Sequence, residues 1–108
     1  YKAAIKYEPL YPHAYLNYAV LLTDMERYEE LEALLQQALE VPTIEKSWLY
    51  QRRGIMHELQ LHLDVAIESY EKAALLTLND DKLKNYRDDV ERCKEKITLA
   101  KKYGKWLQ

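Results

Sequence analysis

Apolar residues recur along the chain at steps of three and four. Tyr15, Tyr18, Ala19 and Leu22 fall on one helix face, and Leu31, Leu34, Leu35, Ala38 and Leu39 on another. The spacing predicts helices over about 1–8, 13–25, 28–41, 46–60, 63–77 and 81–103. Pro9 and Pro12 bracket the first break and Pro42 makes the next, because proline lacks the amide and clashes with the preceding turn. Asn79 or Asp80 is the expected N-cap of the last helix, and Gly104 its expected stop. The turns inside each helix pair are short: Met25-Glu26-Arg27 in one and Leu61-His62 in the other. Such turns force antiparallel neighbours, so the pattern predicts an all-α array.

The helices also repeat. Ala4, Ala38 and Ala73 stand 34 and then 35 residues apart, and the same offsets relate Tyr1, Leu35 and Tyr70, and Tyr7, Val41 and Leu76. Upstream, Tyr15 matches Tyr50, Ala19 matches Gly54, Tyr28 matches Leu63 and Leu31 matches Ala66. The extra residue of the second interval falls in the linker from Pro42 to Lys46. Agreement of so many positions on one offset is hard to obtain by chance, and a period of about 34 residues is that of a helix-turn-helix repeat.

The first full copy reads Tyr15-x2-Tyr18-Ala19-x2-Leu22, then Leu31-x3-Leu35-x2-Ala38, then Pro42. The second reads Tyr50-x2-Arg53-Gly54-x2-His57, then Ala66-x3-Tyr70-x2-Ala73. On these residues the chain resembles the tetratricopeptide repeat (TPR) family over residues 1 to about 78. The resemblance implies a right-handed superhelix of antiparallel pairs, about six helices in all. Ala19 and Gly54 would let helix A approach helix B, and Ala38 and Ala73 would let the next helix A close in. The segments are then 1–9, helix B of a truncated repeat; 12–45, a repeat; 47–79, a repeat; and 80–108, a capping helix. Arg53, His57 and Leu78 depart from the leucine, aromatic residue and proline of the family pattern. An unpaired helix B at 1–8 and a start at Tyr1 make the chain an expected piece of a longer protein.

In the last segment Leu83, Tyr86, Val90, Cys93, Ile97 and Ala100 form a stripe, opposite Lys84, Arg87, Asp88, Glu91, Lys94, Glu95 and Lys101. This reads as a cap with a solvated outer face; a partner-binding coiled-coil seam is the alternative.

Composition narrows the function. With 108 residues, 48% hydrophobic and 31% charged, the chain can bury a core, and Gly 2 and Pro 3 argue against an all-β fold. Sixteen Lys+Arg against eighteen Asp+Glu leave a net charge of -2. Lys82, Lys84 and Arg87, or Lys101, Lys102 and Lys105, are diluted by Asp80, Asp81, Asp88 and Asp89, so neither nucleic acid nor a membrane surface is expected as partner. No apolar run approaches the roughly 18 residues of a membrane span. The one cysteine, Cys93, leans toward a reducing, cytoplasmic setting and reads as buried packing. The ten tyrosines, with no phenylalanine beside them, are expected to bury their rings and keep their hydroxyls wet.

Catalytic patterns are missing. There is no Ser-His-Asp context, phosphate loop or Cys-x2-Cys pair, and carboxylate pairs such as Glu29-Glu30 read as helix surface. His57-Glu58 with His62 is one residue too long for the HExxH zinc motif. Carried on one helix, the i, i+5 spacing would set the rings about 140° apart, so no shared metal is expected. No enzyme activity and no cofactor are expected.

The resemblance then implies a protein-binding concave face lined by helices A. Its lining would be His13, Leu16, Asn17, Val20 and Asp24 from the first repeat, and Trp48, Gln51, Arg52, Ile55, Glu58 and Leu59 from the second. Only Asn17 and Arg52 could serve the carboxylate clamp of the chaperone-binding members, which disfavours a chaperone C-terminal tail. The expected role is an adaptor or scaffold that takes a partner peptide or helix, with Arg52 pairing an acidic group. Three other readings stay open: Trp48 packing under the Pro42–Lys46 linker, Leu16 or Val20 belonging to the core, and an assembly role in which the terminal helices drive self-association.

Overall fold

The computed structural model describes the backbone of residues 12–107 and the side chains of residues 14–103. The helix expected at 1–8 and the side chain of His13 lie outside the described residues. Among the described residues there are five helices, not six, and no strand: α1 Pro12–Asp24, α2 Tyr28–Ala38, α3 Lys46–Leu59, α4 Leu63–Leu76 and α5 Asp80–Leu107. The five predicted spans that can be compared agree to within a few residues. One stop was misjudged. Gly104 does not end α5, which runs on to Leu107, since a lone glycine costs a helix only about 1 kcal/mol. The start is as expected: Asn79 Oδ1 accepts the Lys82 amide at 2.9 Å, an N-cap bond.

Each helix packs on the next. On α3 and α4, moving from His57 back to Gly54 moves the partner from His62 forward to Tyr70, so the two run antiparallel. On α3 and α5, Glu45 meets Lys82 and Glu58 meets Arg92 and Lys96, so these two run parallel. The array measures 53 × 32 × 17 Å, and its least dimension is that of two helix layers about 8–10 Å apart.

The turns within the pairs are built alike. Glu26 and Leu61 hold φ of 57° and 63°. In each turn the next amide reaches back to close the helix, Arg27 N to Leu22 O at 3.0 Å and His62 N to His57 O at 2.8 Å. Glu26 N to Thr23 O and Leu61 N to Glu58 O supply the second bond, at 3.1 and 3.0 Å. This is the Schellman arrangement, with glutamate and leucine where glycine is usual. Glu26 and Leu61 stand 35 residues apart, the offset that relates the sequence copies.

Two apolar clusters fill the interior. Tyr15, Ala19, Leu22, Leu31, Leu35 and Ala38 join α1 to α2, with Val41, Ile44, Leu49 and Met56 closing the end toward α3. Ala66 and Tyr70 of α4 meet Val90 and Cys93 of α5 in the second. Four repeat-related pairs share their burial, Ala19 with Gly54, Leu31 with Ala66, Leu35 with Tyr70 and Ala38 with Ala73, whereas Tyr15 and Val41 are buried where Tyr50 is half-buried and Leu76 exposed. Gly54 is required by contact. A Cβ there would lie 2.7 Å from Tyr70 Cε1, inside van der Waals distance.

Candidate functional site

Trp48 and Arg52 lie one turn apart on α3, and the guanidinium carbon of Arg52 sits 5.0 Å from the centre of the indole ring, a cation–π distance. The indole packs by one side on the first apolar cluster and stays half-buried. Burial lowers the Arg52 pKa from its ordinary value, with the Asp24 carboxylate of α1 acting the other way. Arg52 Nε is enclosed and has no hydrogen-bond partner among the described residues. Trp48 and Arg52 therefore form one pair on α3, with the Asp24 charge on α1 acting on the guanidinium.

The other expected lining residues divide. Asn17 and Val20 are exposed on α1, and Leu59 is exposed at the end of α3. Gln51 is half-buried. Leu16 and Ile55 are half-buried too, but Leu16 packs on the first cluster and Ile55 on the second.

Glu58 does not line a face and must be corrected. It is buried, and its carboxylate accepts bonds from Tyr70 Oη at 2.8 Å, Arg92 Nε at 2.8 Å and Nη2 at 2.6 Å, and Lys96 Nζ at 2.6 Å. The Arg92 bond lowers its pKa to about 2, helped by Lys96 and Tyr70 against the opposing effect of burial. Such a carboxylate is an acceptor with every oxygen engaged, suited to joining α3, α4 and α5 and not to proton transfer. Tyr70 also breaks the expectation of a wet hydroxyl: it is fully buried and donates to Glu58. Cys93 is buried beside this network, and burial pushes its thiol up to about 11, so it is protonated and inert near neutrality.

Arg53 and His57, the departures from the repeat pattern, converge on Glu32 of α2. Arg53 Nε bonds Glu32 Oε1 at 3.2 Å and its Nη1 bonds Ser69 Oγ at 2.9 Å. His57 Nε2 lies 3.8 Å from Glu32 Oε2. The histidine geometry expected from the spacing is also corrected. Because α3 ends at Leu59 and Leu61 turns the chain back, His62 leaves the helix and its Nδ1 comes to 3.3 Å from His57 Nδ1.

A groove that the sequence reading missed lies between α4 and α5. It encloses about 510 Å³ and is lined by Ala74, Leu75, Leu83 and Val90 between Glu71, Arg87 and Glu91. Leu75 beside it is 85% exposed and Leu78 is fully exposed. The signal was present: Leu75, Leu76 and Leu78 continue the apolar run past the inward face of α4. On α5 the stripe is buried or half-buried from Leu83 to Ile97, Ala100 at its end is exposed, and the seven charged residues are exposed.

Among the described residues no helix is long and apolar enough to cross a membrane, and no three His, Cys, Asp or Glu side chains gather as a metal site. No family model, no curated protein and no solved structure matches the chain.

Proposed function

We infer that the protein is a protein–protein interaction module, a TPR-like adaptor or scaffold without catalysis in this segment. The face formed by α1 and α3 takes a partner peptide or helix. One observation carries the reading. Trp48 and Arg52 offer a half-buried aromatic plate and an incompletely paired cation on one turn of helix, and Val20, Asn17 and Leu59 are exposed on α1 and α3. Aromatic and arginine anchors of this kind dominate binding at protein interfaces. The partner side would present an apolar face with a carboxylate for Arg52.

The TPR assignment is supported by the shared burial of repeat-related small residues, by the contact of Gly54 with Tyr70, and by the two matched turns at Glu26 and Leu61. Parallel placement of α3 and α5 on either side of α4 suits a solenoid in which helices A stand side by side.

The test is capture from a matched lysate by wild type and by a Trp48→Glu, Arg52→Glu variant of equal helicity and melting temperature. The captured protein is then purified and titrated against both. Binding by wild type with a loss of tenfold or more in the variant supports the face. Equal binding by both removes it.

A second reading is favoured by the α4–α5 groove. Its apolar lining and the exposed Leu75 and Leu78 suit self-association or docking within a larger assembly. A mass in solution that rises with concentration, and falls back in a Leu75→Lys, Leu78→Lys variant, would favour it.

A further inference from the structure

Among the described residues His57 and His62 form a pair of ligand-bearing side chains that neither the proposed binding face nor the Glu58 network uses. We propose that these two imidazoles bind a single divalent transition-metal ion of the zinc class through their Nδ1 atoms, with water completing the coordination.

The distance is the first support. Two nitrogens on a tetrahedral zinc with bonds of about 2.05 Å stand about 3.3 Å apart. The Nδ1 atoms of His57 and His62 stand 3.3 Å apart before any metal enters. The ring centres are 5.5 Å apart and the planes are tilted by 39°, so the rings meet by their nitrogen edges and do not stack. At this separation the nitrogens share either one proton or one cation.

The surroundings of His57 are the second support. Its Nε2 and Glu32 Oε2 face each other at 3.8 Å, both enclosed and both without a hydrogen-bond partner among the described residues. A proton on Nε2 directed at that carboxylate leaves the lone pair on Nδ1, turned toward His62. A carboxylate behind a histidine is the arrangement that fixes the tautomer of metal-ligating imidazoles. His62 is exposed, and it makes no side-chain capping bond to α4 although it occupies the N-cap position. Its ring is free to turn toward the ion.

The charges around the pair come from α2 and α3. Arg53 of α3 opposes a cation, but it is bonded to Glu32 Oε1, so the nearest positive charge is already paired. Glu32 of α2 favours one. Glu58, although adjacent in sequence to His57, is engaged by Arg92, Lys96 and Tyr70. The site rests on the turn itself: Leu61 in the left-handed region brings residue 62 back over residue 57.

The test is calorimetric titration of the full chain with zinc chloride at pH 7.5, repeated with His62→Gln, His57→Gln, Glu32→Gln and His13→Gln variants whose helicity is checked by circular dichroism. The expected result is one-to-one binding with Kd below about 1 mM. It should be lost in His62→Gln and His57→Gln, weakened about 10–100-fold in Glu32→Gln, and unchanged in His13→Gln. Imidazole resonances of His57 and His62 should shift together on addition of the metal. His62 is exposed, so its variant cannot fail through misfolding of the core. Absence of saturable binding, or binding that survives His62→Gln, would overturn the proposal.

Discussion

The two halves of the array are held by different forces. Between α1 and α2 the contact is apolar: Tyr15, Ala19 and Leu22 close on Leu31, Leu34, Leu35 and Ala38, and one side-chain bond, Gln37 Nε2 to Tyr15 Oη at 3.3 Å, joins the helices. Among α3, α4 and α5 the apolar cluster is smaller, and a carboxylate at its centre ties three helices through Tyr70, Arg92 and Lys96. Glu45 repeats the device at the other end of α3, bonded to Ser47 and, at 3.1 Å, to Lys82 of α5. Apolar packing tolerates changes of salt and pH. A charged joint ties its strength to both. The first half should therefore fail when volume is removed, and the second when charge is removed.

The largest effect is expected from Leu31→Ala. Leu31 is fully buried at the centre of the first cluster, and large-to-small changes at such sites cost about 2–5 kcal/mol, lost transfer and residual cavity together. The measurement is denaturant unfolding at low and high salt. The loss should be the same at both, and amide exchange should show α1 and α2 opening first.

Next comes Glu58→Gln. It leaves Arg92, Lys96 and Tyr70 facing an uncharged amide. Breaking a buried ion pair costs about 3–5 kcal/mol, but Arg92 and Lys96 keep nearly half their surface in water, so about 2 kcal/mol is expected. Unlike the loss at Leu31, this one should shrink as salt rises. The wild type carries the same signature in its pH dependence. The Glu58 carboxyl is held at about 2 against an ordinary 4.5, so the fold stabilises the ionised form. That contribution is complete above about pH 4.5 and drains away as pH falls toward 2. Exchange rates in α5 should rise over that window before those in α1, and they should do so less in the Glu58→Gln variant. Simultaneous opening of both halves would erase the distinction.

Gly54→Ala probes the apolar contact of α3 with α4 inside the second half. The added methyl must displace the Tyr70 ring, whose hydroxyl is fixed by Glu58. A loss of about 1–3 kcal/mol is expected. In a Tyr70→Leu background the same substitution should cost less, because the smaller side chain leaves room; an unchanged cost would mean that the ring is not the obstacle.

Much of this was legible in the sequence, for physical reasons. Helix spans and small-residue contacts follow from local periodicity and from an offset of 34 to 35 residues. The charged joints do not, because a carboxylate looks the same in sequence whether water or an arginine holds it. Yet Glu58 to Arg92 is 34 residues, Glu45 to Lys82 is 37 and Glu58 to Lys96 is 38. Each is close to one repeat, and equivalent positions on parallel helices lie side by side. Opposite charges spaced by the repeat length are the available signal; of these residues the pattern reading takes up Glu58, as groove lining, and Lys82, as a diluted basic residue, and assigns nothing to Glu45, Arg92 and Lys96. The histidine pair differs for another reason: the separation of about 140° holds only on a continuous helix, and the turn expected at Leu61-His62 is what brings the two rings together. On the face proposed for binding, the sequence supplies the residue types, and the structure adds the contact of Arg52 with the Trp48 ring.

The smallest effect concerns the turns, which are alike where the halves differ. Glu26 and Leu61 both hold positive φ, and both side chains are exposed, so replacing either by glycine removes no packing. A non-glycine residue in this region costs about 1–2 kcal/mol, and glycine returns part of that gain through the greater freedom of the unfolded chain. Glu26→Gly and Leu61→Gly should each stabilise by about 0.5–1 kcal/mol, read as a higher denaturant midpoint with an unchanged slope. Similar gains would mean that the repeat is written first in its turns, with the seams free to diverge between apolar and charged solutions. A gain at Glu26 alone would point to the contact that the Leu61 turn creates, His57 with His62, as what offsets the strain in the second half. In that case Leu61→Gly combined with His62→Gln should lose stability relative to either change alone.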